Sequence, residues 1–148
     1  ILAFIDSAHK EGAQPLTGGN RMRGAGYDAG YFIEPTIFTG VADDMTIARE
    51  EIFGPVLSAF AFDTIEEVLM RANATEFGLG SGVWTRDLAT AHRMARGIRA
   101  GSVWVNCYQM LDPAVPFGGY KMSGFGRESG PHHIEDYLET KAIWMKLD

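Results

Sequence analysis

Apolar and polar residues follow two alternating patterns along this chain, one typical of helices and one typical of strands. Near the start, apolar residues recur at helical spacing until Gly12 ends the pattern. Asp63 with Glu66 forms the sequence pattern of a capping box and predicts the start of a further helix. The predicted helices are the segment before Gly12 and residues 46–53, 63–77, 87–98 and 131–137.

Strand-like segments lie between these helices. Short apolar runs predict strands at residues 31–38, 55–62, 79–85 and 101–106. Pro35 has no backbone N–H and should therefore lie at a sheet edge or a bulge. Residues 55–62 are apolar enough for a strand that is covered on both faces. The alternation of strands and helices predicts an α/β fold with a mostly parallel sheet and crossover helices.

Two glycine-rich stretches interrupt this alternation. Residues 18–30 have the composition of a surface connection. Residues 112–130 contain too many glycines and prolines for a strand and too few periodic apolar positions for a helix. Because a loop of this length is uncommon in a compact domain, we expect it to have a function.

The end of the chain alternates apolar and polar residues. In residues 137–148, Ile143, Met145 and Leu147 share one side of the pattern and Trp144 lies on the other. This pattern predicts a strand that has no hairpin partner close in sequence. An unpaired strand edge favours association with another chain, and the alternative is pairing within the chain's own sheet.

Composition and charge narrow the range of partners. The chain has 148 residues, of which 46% are hydrophobic, as in an ordinary globular domain. A net charge of -6 argues against nucleic acid or an anionic membrane as a partner. The only cysteine, Cys107, excludes an intrachain disulfide and fits a reducing cytoplasm. The histidines do not have the spacing of metal ligands, so no metal site is expected.

Four motifs, in their order and separations, resemble those of the NAD(P)-dependent aldehyde dehydrogenase family. They are GYFIEPTIF, REEIFGPV, GSVWVN and PFGGYKMSGFGRESG. The resemblance covers essentially the whole chain but only the C-terminal portion of the longer family chain. It implies a C-terminal part of the catalytic domain at residues 1–131 and an oligomerisation helix and strand at residues 132–148. The chain also opens in the middle of an apolar pattern without an initiator Met, which predicts that a longer protein precedes it.

The resemblance assigns the cofactor role to the REEIFGPV motif. It implies that Glu51 accepts hydrogen bonds from both hydroxyls of the nicotinamide-side ribose of NAD or NADP, and that Phe53 packs beside the nicotinamide. A carboxylate offers two acceptor oxygens, which suits a pair of neighbouring hydroxyls. Arg49 or Glu50 would then be structural. From these residues alone, the alternative is that both acids only decorate a short helix that ends at the Gly-Pro pair.

The resemblance assigns the substrate path to the second glycine-rich stretch. It implies that Phe117 lines the tunnel through which the aldehyde enters. Leu111 stands where many family members have an aromatic residue, which suits a wider or more aliphatic pocket. The alternative is that the stretch is only a long connector whose basic residues form surface salt bridges. The residues expected to fix the loop are Lys121, Ser123, Gly124, Gly126, Arg127 and Glu128.

The chemical groups of the reaction itself are not expected in this chain. The resemblance implies that the nucleophile is a cysteine upstream of the matched region, and Cys107 instead follows the GSVWVN strand, where a free cysteine is usually a small packed residue. The resemblance likewise implies that the general-base glutamate and the dinucleotide-binding domain lie upstream. No catalytic residue is therefore assigned, and the chain alone is expected to oxidise nothing.

Two function classes follow from these expectations. In the first, the chain works with the remaining N-terminal portion of an aldehyde dehydrogenase and forms a homo-oligomer through its terminal strand, as the resemblance implies. In the second, it is a free-standing, non-catalytic remnant that acts as an oligomerising or binding module. An enzyme of another class that uses Cys107 with His132 or His133 is a third and more distant alternative.

Overall fold

A computed structural model describes residues 1–148 as two compact units, unit 1 (Ile1–Arg71) and unit 2 (Ala72–Asp148). None of the helices combines the length and the apolar character that a membrane crossing requires. The mixture of helices with parallel strand pairs confirms the predicted α/β class. In chain order the elements are α1 (Leu2–Glu11), β1 (Gln14–Thr17), β2 (Thr36–Thr39), α2 (Thr46–Arg49), β3 (Val56–Ser58), α3 (Ile65–Asn73), β4 (Gly80–Val83), α4 (Leu88–Gly97), β5 (Ser102–Val105) and two 3-10 helices, Lys121–Ser123 and Pro131–Tyr137.

Unit 1 is built around the central strand of a three-stranded sheet. β2 pairs antiparallel with β1 on one side and parallel with β3 on the other. Phe38 in β2 is completely buried and forms the centre of the apolar core. The other buried members of this core are Ile5, Ala8, Ala13, Val41 and Ile47.

The start of the fold follows the local sequence signals. α1 ends where predicted, because Gly12 adopts a left-handed φ of 96° that suits glycine, and its N–H bonds to the carbonyls of Ala8 and His9. The Glu11 carboxylate then accepts hydrogen bonds from the Thr46 backbone N–H at 2.7 Å and from its hydroxyl at 2.5 Å. Both bonds lower the pKa of Glu11, and the bond from the hydroxyl has the larger effect. The end of α1 thereby supplies an acceptor to the first turn of α2.

Two strands are shorter than the sequence predicts. The strand expected at residues 31–38 begins only at Thr36, since Pro35 has no N–H to contribute to a ladder. The strand expected at residues 55–62 is reduced to β3, and coverage on both faces is wrong for this chain. β3 lies at the edge of the sheet, and its Leu57 is 58% exposed.

α3 begins one residue later than its capping pattern suggests. The Thr64 hydroxyl, not the Asp63 carboxylate, accepts the hydrogen bond from the Glu67 backbone N–H, at 3.1 Å. The Glu67 carboxylate in turn accepts from the Asp63 N–H at 2.9 Å. Thr64 and Glu67 therefore form an arrangement like a capping box, one position further along the chain, in which the glutamate bonds to the N–H before the cap.

Unit 2 contains a parallel pair of strands joined through a helix. β4 and β5 pair from Gly80 with Ser102 to Val83 with Val105, and α4 connects them as a crossover helix. The helix predicted at residues 87–98 is present as α4, and Asp87 caps it by accepting hydrogen bonds from the Thr90 hydroxyl and N–H at 2.5 and 2.7 Å. The same bonds lower the pKa of Asp87.

The terminal segment does not pair with the rest of the chain. Leu138–Asp148 forms no hydrogen-bonded strand, so the alternative that it pairs within its own sheet is wrong. A strand requires a neighbour for its backbone groups, and the five strands of this chain pair elsewhere. Trp144, Met145 and Leu147 are consequently 94%, 82% and 91% exposed. The predicted domain boundary between residues 131 and 132 stays a prediction.

Candidate functional site

The loop between α2 and β3 carries the two residues that the sequence assigns to cofactor binding. α2 ends at Arg49, because Glu50 already has an extended conformation with φ -96° and ψ 147°. Glu51 and Phe53 therefore lie in a loop, and the helix predicted for residues 46–53 is too long. Ile52, between them, packs against the core of unit 1.

Both ends of this loop are held by the fold. Arg49 donates from Nε to the Asp43 carbonyl at 3.1 Å, which is the structural role expected for it. At the other end, the Pro55 carbonyl accepts from the Thr36 N–H at 2.8 Å, where the parallel pairing of β2 and β3 begins. With Ile52 packed in between, the backbone positions of Glu51 and Phe53 are well defined.

The side chains of Glu51 and Phe53 are open to solvent. Phe53 is 87% exposed, and its backbone has a left-handed φ of 51°, which is uncommon for a residue other than glycine. Glu51 is also exposed, and its carboxylate makes no hydrogen bond or ion pair within the chain. Left-handed backbone at residues other than glycine is often found in functional sites, so the positive φ makes Phe53 a candidate binding position.

This arrangement can accept a polar and partly aromatic ligand. Both oxygens of the Glu51 carboxylate are available as acceptors, and the ring two residues away offers an apolar face. A carboxylate and a ring packed against protein on all sides would have no such capacity. The residues present therefore fit the nicotinamide-side ribose that the sequence resemblance implies.

The glycine-rich loop of unit 2 carries the two residues assigned to the substrate path. Phe117 is partly buried and exchanges two backbone hydrogen bonds, both of 2.7 Å, with Glu128. The loop thus closes on itself through an isolated antiparallel bridge. Leu111 precedes this bridge and is 67% exposed.

Lys121 and Ser123 attach this loop to the turn after α3. The Lys121 ammonium donates to the carbonyl oxygens of Asn73 at 3.0 Å and Thr75 at 2.9 Å. Asn73 is the last residue of α3 and Thr75 lies two residues beyond it, at the end of the helix where a cation is favourable for the helix dipole. The Ser123 hydroxyl accepts from the Gly78 N–H at 2.9 Å. The predicted role of both residues in fixing the loop is confirmed.

Arg127 braces the same loop from inside. Its guanidinium donates to the carbonyls of Gly119 at 2.9 Å and Gly126 at 2.6 Å, and it lies over the Tyr120 ring at 5.2 Å. Lys121 and Arg127 therefore bind backbone carbonyls instead of acidic side chains. The alternative of a mere connector with surface salt bridges is wrong on this point.

Sequence reasoning missed a polar clamp at the ends of β4 and β5. The Asn106 side chain accepts from the Thr85 N–H and donates to the Thr85 carbonyl, both at 2.9 Å. An amide side chain can match a peptide group in this way because it has both a donor and an acceptor. The signal in the sequence is an asparagine directly after a predicted apolar strand. In an open parallel sheet, the carboxyl ends of strands are the usual place for ligand-binding loops.

The structure groups the predicted site residues in two sets. Glu51 and Phe53 share one loop of unit 1, and Leu111 and Phe117 belong to one loop of unit 2. Cys107 is a free, partly buried thiol in the segment after β5. No group of three or more His, Cys, Asp or Glu side chains in the chain is arranged to hold a metal ion.

Comparison with known proteins adds an independent observation. Residues 1–143 match the model of the aldehyde dehydrogenase family. The chain is 54% identical to aldehyde dehydrogenase 1 of Tanacetum cinerariifolium over 97% of its own length and 28% of that protein. It is 50% identical to betaine aldehyde dehydrogenase of Brucella anthropi over 99% of its length and 30% of that protein.

The folds agree as well. The NAD+ complex of an aldehyde dehydrogenase from Bacillus cereus superposes with a TM-score of 0.90 at 47% identity, over 99% of this chain and 29% of that one. The chain thus spans less than a third of the length of these relatives. A family match along nearly the whole chain, identities near one half and a shared fold lead to one conclusion: the chain belongs to the aldehyde dehydrogenase family.

Proposed function

We propose that this chain supplies the nicotinamide-ribose contact and part of the aldehyde tunnel of an NAD(P)-dependent aldehyde dehydrogenase. The observation that carries the proposal is the pair of exposed side chains, Glu51 and Phe53, on a loop whose two ends are held by the fold. The cofactor, when bound, accepts a hydride from the substrate. Glu51 would receive hydrogen bonds from the ribose hydroxyls, and Phe53 would offer its ring beside the nicotinamide.

The substrate is proposed to be an aldehyde that passes the second glycine-rich loop. Phe117 presents an aromatic ring from a loop that is closed by its own backbone bonds and braced by Arg127. Leu111 adds an aliphatic side chain in place of a ring. An apolar wall of this kind excludes water and favours an aldehyde with an apolar body.

The nucleophile, the general base and the pyrophosphate site are proposed to come from the remaining N-terminal portion of the enzyme. Cys107 is not assigned to catalysis, because it is a partly buried thiol beside a strand end. A free thiol of this kind is compatible with a reducing compartment, and we propose the cytoplasm.

The chain alone should not bind the cofactor tightly. A single ribose contact does not offset the association cost without contacts to the pyrophosphate, so we expect a Kd for NAD no tighter than about millimolar. This result is compared with a graft, defined as the Bacillus cereus enzyme in which these 148 residues replace the matching segment. We expect the graft to bind NAD with a Kd of about micromolar to submillimolar and to oxidise aldehydes. Calorimetry measures both affinities. Micromolar binding by the chain alone would contradict the proposed division of the site and favour a free-standing binding module.

The terminal segment is proposed to join two copies of the protein. Residues 138–148 follow the last 3-10 helix without forming a helix or strand, and Ile143, Trp144 and Met145 are exposed. Main-chain hydrogen bonds to a sheet edge of a neighbouring subunit would satisfy their backbone groups and cover these side chains.

Removal of this segment should weaken the oligomer. We expect the dissociation constant of the oligomer to rise at least about tenfold in the graft without residues 138–148, because the interface would lose a whole strand. Analytical ultracentrifugation measures the shift. A matched control exchanges Lys141 for Arg, which leaves the segment in place. An unchanged association constant after truncation would exclude the segment from the interface.

A further inference from the structure

Trp104 in β5 holds the segment that follows this strand. Its indole Nε1–H donates to the Met110 carbonyl at 2.8 Å. Its ring also meets the Tyr108 ring edge to face, with centroids 5.2 Å apart. The Trp104 side chain is itself partly buried, whereas Tyr108 and Met110 are exposed. One partly buried side chain therefore makes two contacts to the loop of residues 107–111, of which residues 108–111 are exposed.

The backbone of this loop needs such an anchor. Gln109 has a left-handed φ of 55°, a conformation that residues other than glycine rarely adopt. Asn106, directly before the loop, has a φ of 56°, which asparagine tolerates better than most residues. Such conformations persist only where the surrounding contacts hold them. The Asn106 amide provides one hold through Thr85, and the indole bond to Met110 provides the other.

We propose that Trp104 is a positioning residue that sets the substrate preference of the enzyme through Leu111. The bond to the Met110 carbonyl orients the peptide unit that leads directly into Leu111. This inference rests on the proposed function, which assigns Leu111 to the aldehyde path. Loss of the indole donor does not change which residues line the aldehyde path, but it leaves Leu111 less well fixed. The enzyme should therefore discriminate less strongly among aldehydes.

The hydrogen bond itself is tested by NMR on the 148-residue chain. The three indole N–H groups belong to Trp84, Trp104 and Trp144. We expect the Trp104 indole proton to exchange with solvent at least about tenfold more slowly than the other two, because only this one donates within the chain. Equal exchange rates for all three would overturn the inference at its first step.

The positioning effect is tested with Trp104→Phe, which keeps a ring and removes the donor. The matched control is Trp84→Phe, since Trp84 also lies beside Tyr108, at 6.3 Å between centroids, and its indole donates to nothing in the chain. We expect the backbone order parameters of residues 109–111 to fall from about 0.85 toward 0.6 in Trp104→Phe and to stay unchanged in the control.

The functional effect is measured in the graft with a short and a long aliphatic aldehyde. For Trp104→Phe we expect the KM of the long aldehyde to rise about three- to tenfold, with kcat for the short aldehyde unchanged. A rise of this size corresponds to the net contribution of one hydrogen bond, here the bond that positions Leu111. A general structural defect would instead lower kcat for both substrates.

The outcomes separate this inference from the proposed function. An active graft in which Trp104→Phe leaves the ratio of the two KM values unchanged overturns the inference and retains the proposed function. A correctly folded graft that oxidises no aldehyde counts against the proposed function, and the indole exchange and order parameters then decide the positioning role on their own. Equal effects of the Trp84 and Trp104 substitutions also overturn the inference.

Discussion

Glutamine in place of Glu51 should lower kcat/KM for NAD in the graft by about 10- to 100-fold, with little change in the KM of the aldehyde. The physical reason is the loss of charge-assisted hydrogen bonds, each of which contributes about 1.5–3 kcal/mol, or roughly one to two powers of ten. Glutamine keeps the size of the side chain but offers one acceptor oxygen instead of two. Hydride transfer, measured in single turnover, should slow because the nicotinamide is held less well.

The neighbouring residue provides the control for this result. Glu50 is the same residue type, is also exposed and lies one position earlier in the same loop. Glu50→Gln should therefore leave the NAD kinetics within about twofold, since its only ordered contact is the backbone bond from its N–H to the Thr46 carbonyl. A defect confined to aldehyde binding in Glu51→Gln, or equal effects of the two substitutions, would remove the ribose assignment.

Alanine in place of Gly101 should destabilise unit 2 by about 3 kcal/mol or more. A Cβ at this position would overlap the carbonyl oxygen of Gly118, a backbone atom in the loop that carries Phe117. The backbone on both sides has little freedom to yield, because the Gly101 N–H donates to the Gly78 carbonyl at 3.0 Å and Arg127 braces the loop. Overpacking of this kind typically costs about 1–3 kcal/mol and more where backbone must move.

Thermal unfolding followed by circular dichroism measures this cost. For a chain of this size, a loss of about 3 kcal/mol lowers Tm by roughly 6–12 °C. Gly126→Ala is the matched control, because Gly126 has a left-handed φ of 80° and no atom lies within 4 Å of the position that a Cβ would take. The control therefore carries backbone strain of about 1 kcal/mol without overlap. Equal losses in Tm for both variants would show that the packing of Gly101 against Gly118 has no special importance.

Helix ends that carry a local signal could be predicted well, whereas α2 and α3 end earlier than predicted, at Arg49 and Asn73. Gly12 ends α1 through its own conformational freedom, and Asp87 caps α4 through bonds to Thr90 in the next turn. α3 shows the limit of such signals. Asp63 and Thr64 are both good capping residues with a glutamate three positions later, and the choice of Thr64 depends on the packing of the whole helix.

The strands were predicted less accurately because a strand depends on its neighbours. β3 has only three residues and lies at the edge of its sheet, since no further strand of this chain pairs with it. Leu57 projects from a face of the sheet and is 58% exposed, so that face is not covered there. The terminal segment has a clear alternating pattern, but no other strand of the chain pairs with it. Alternation of apolar and polar residues indicates what a segment can form, whereas hydrogen-bonded pairing also requires a second segment.

The candidate site divides in the same way. The sequence by itself determined the chemical groups: a carboxylate and an aromatic ring around Ile52, a glycine-rich loop with basic residues, and an apolar strand that ends in asparagine. These features are local, because residue type and spacing determine charge, size and backbone freedom.

The tertiary structure alone decided how these groups are held. It placed Glu51 and Phe53 outside the helix and in solvent, directed Lys121 and Arg127 to backbone carbonyls, and joined Trp104 to Met110. Each of these results depends on left-handed backbone turns or on contacts between segments far apart in sequence. No local pattern encodes such geometry, because its free energy comes from the packing of the whole unit.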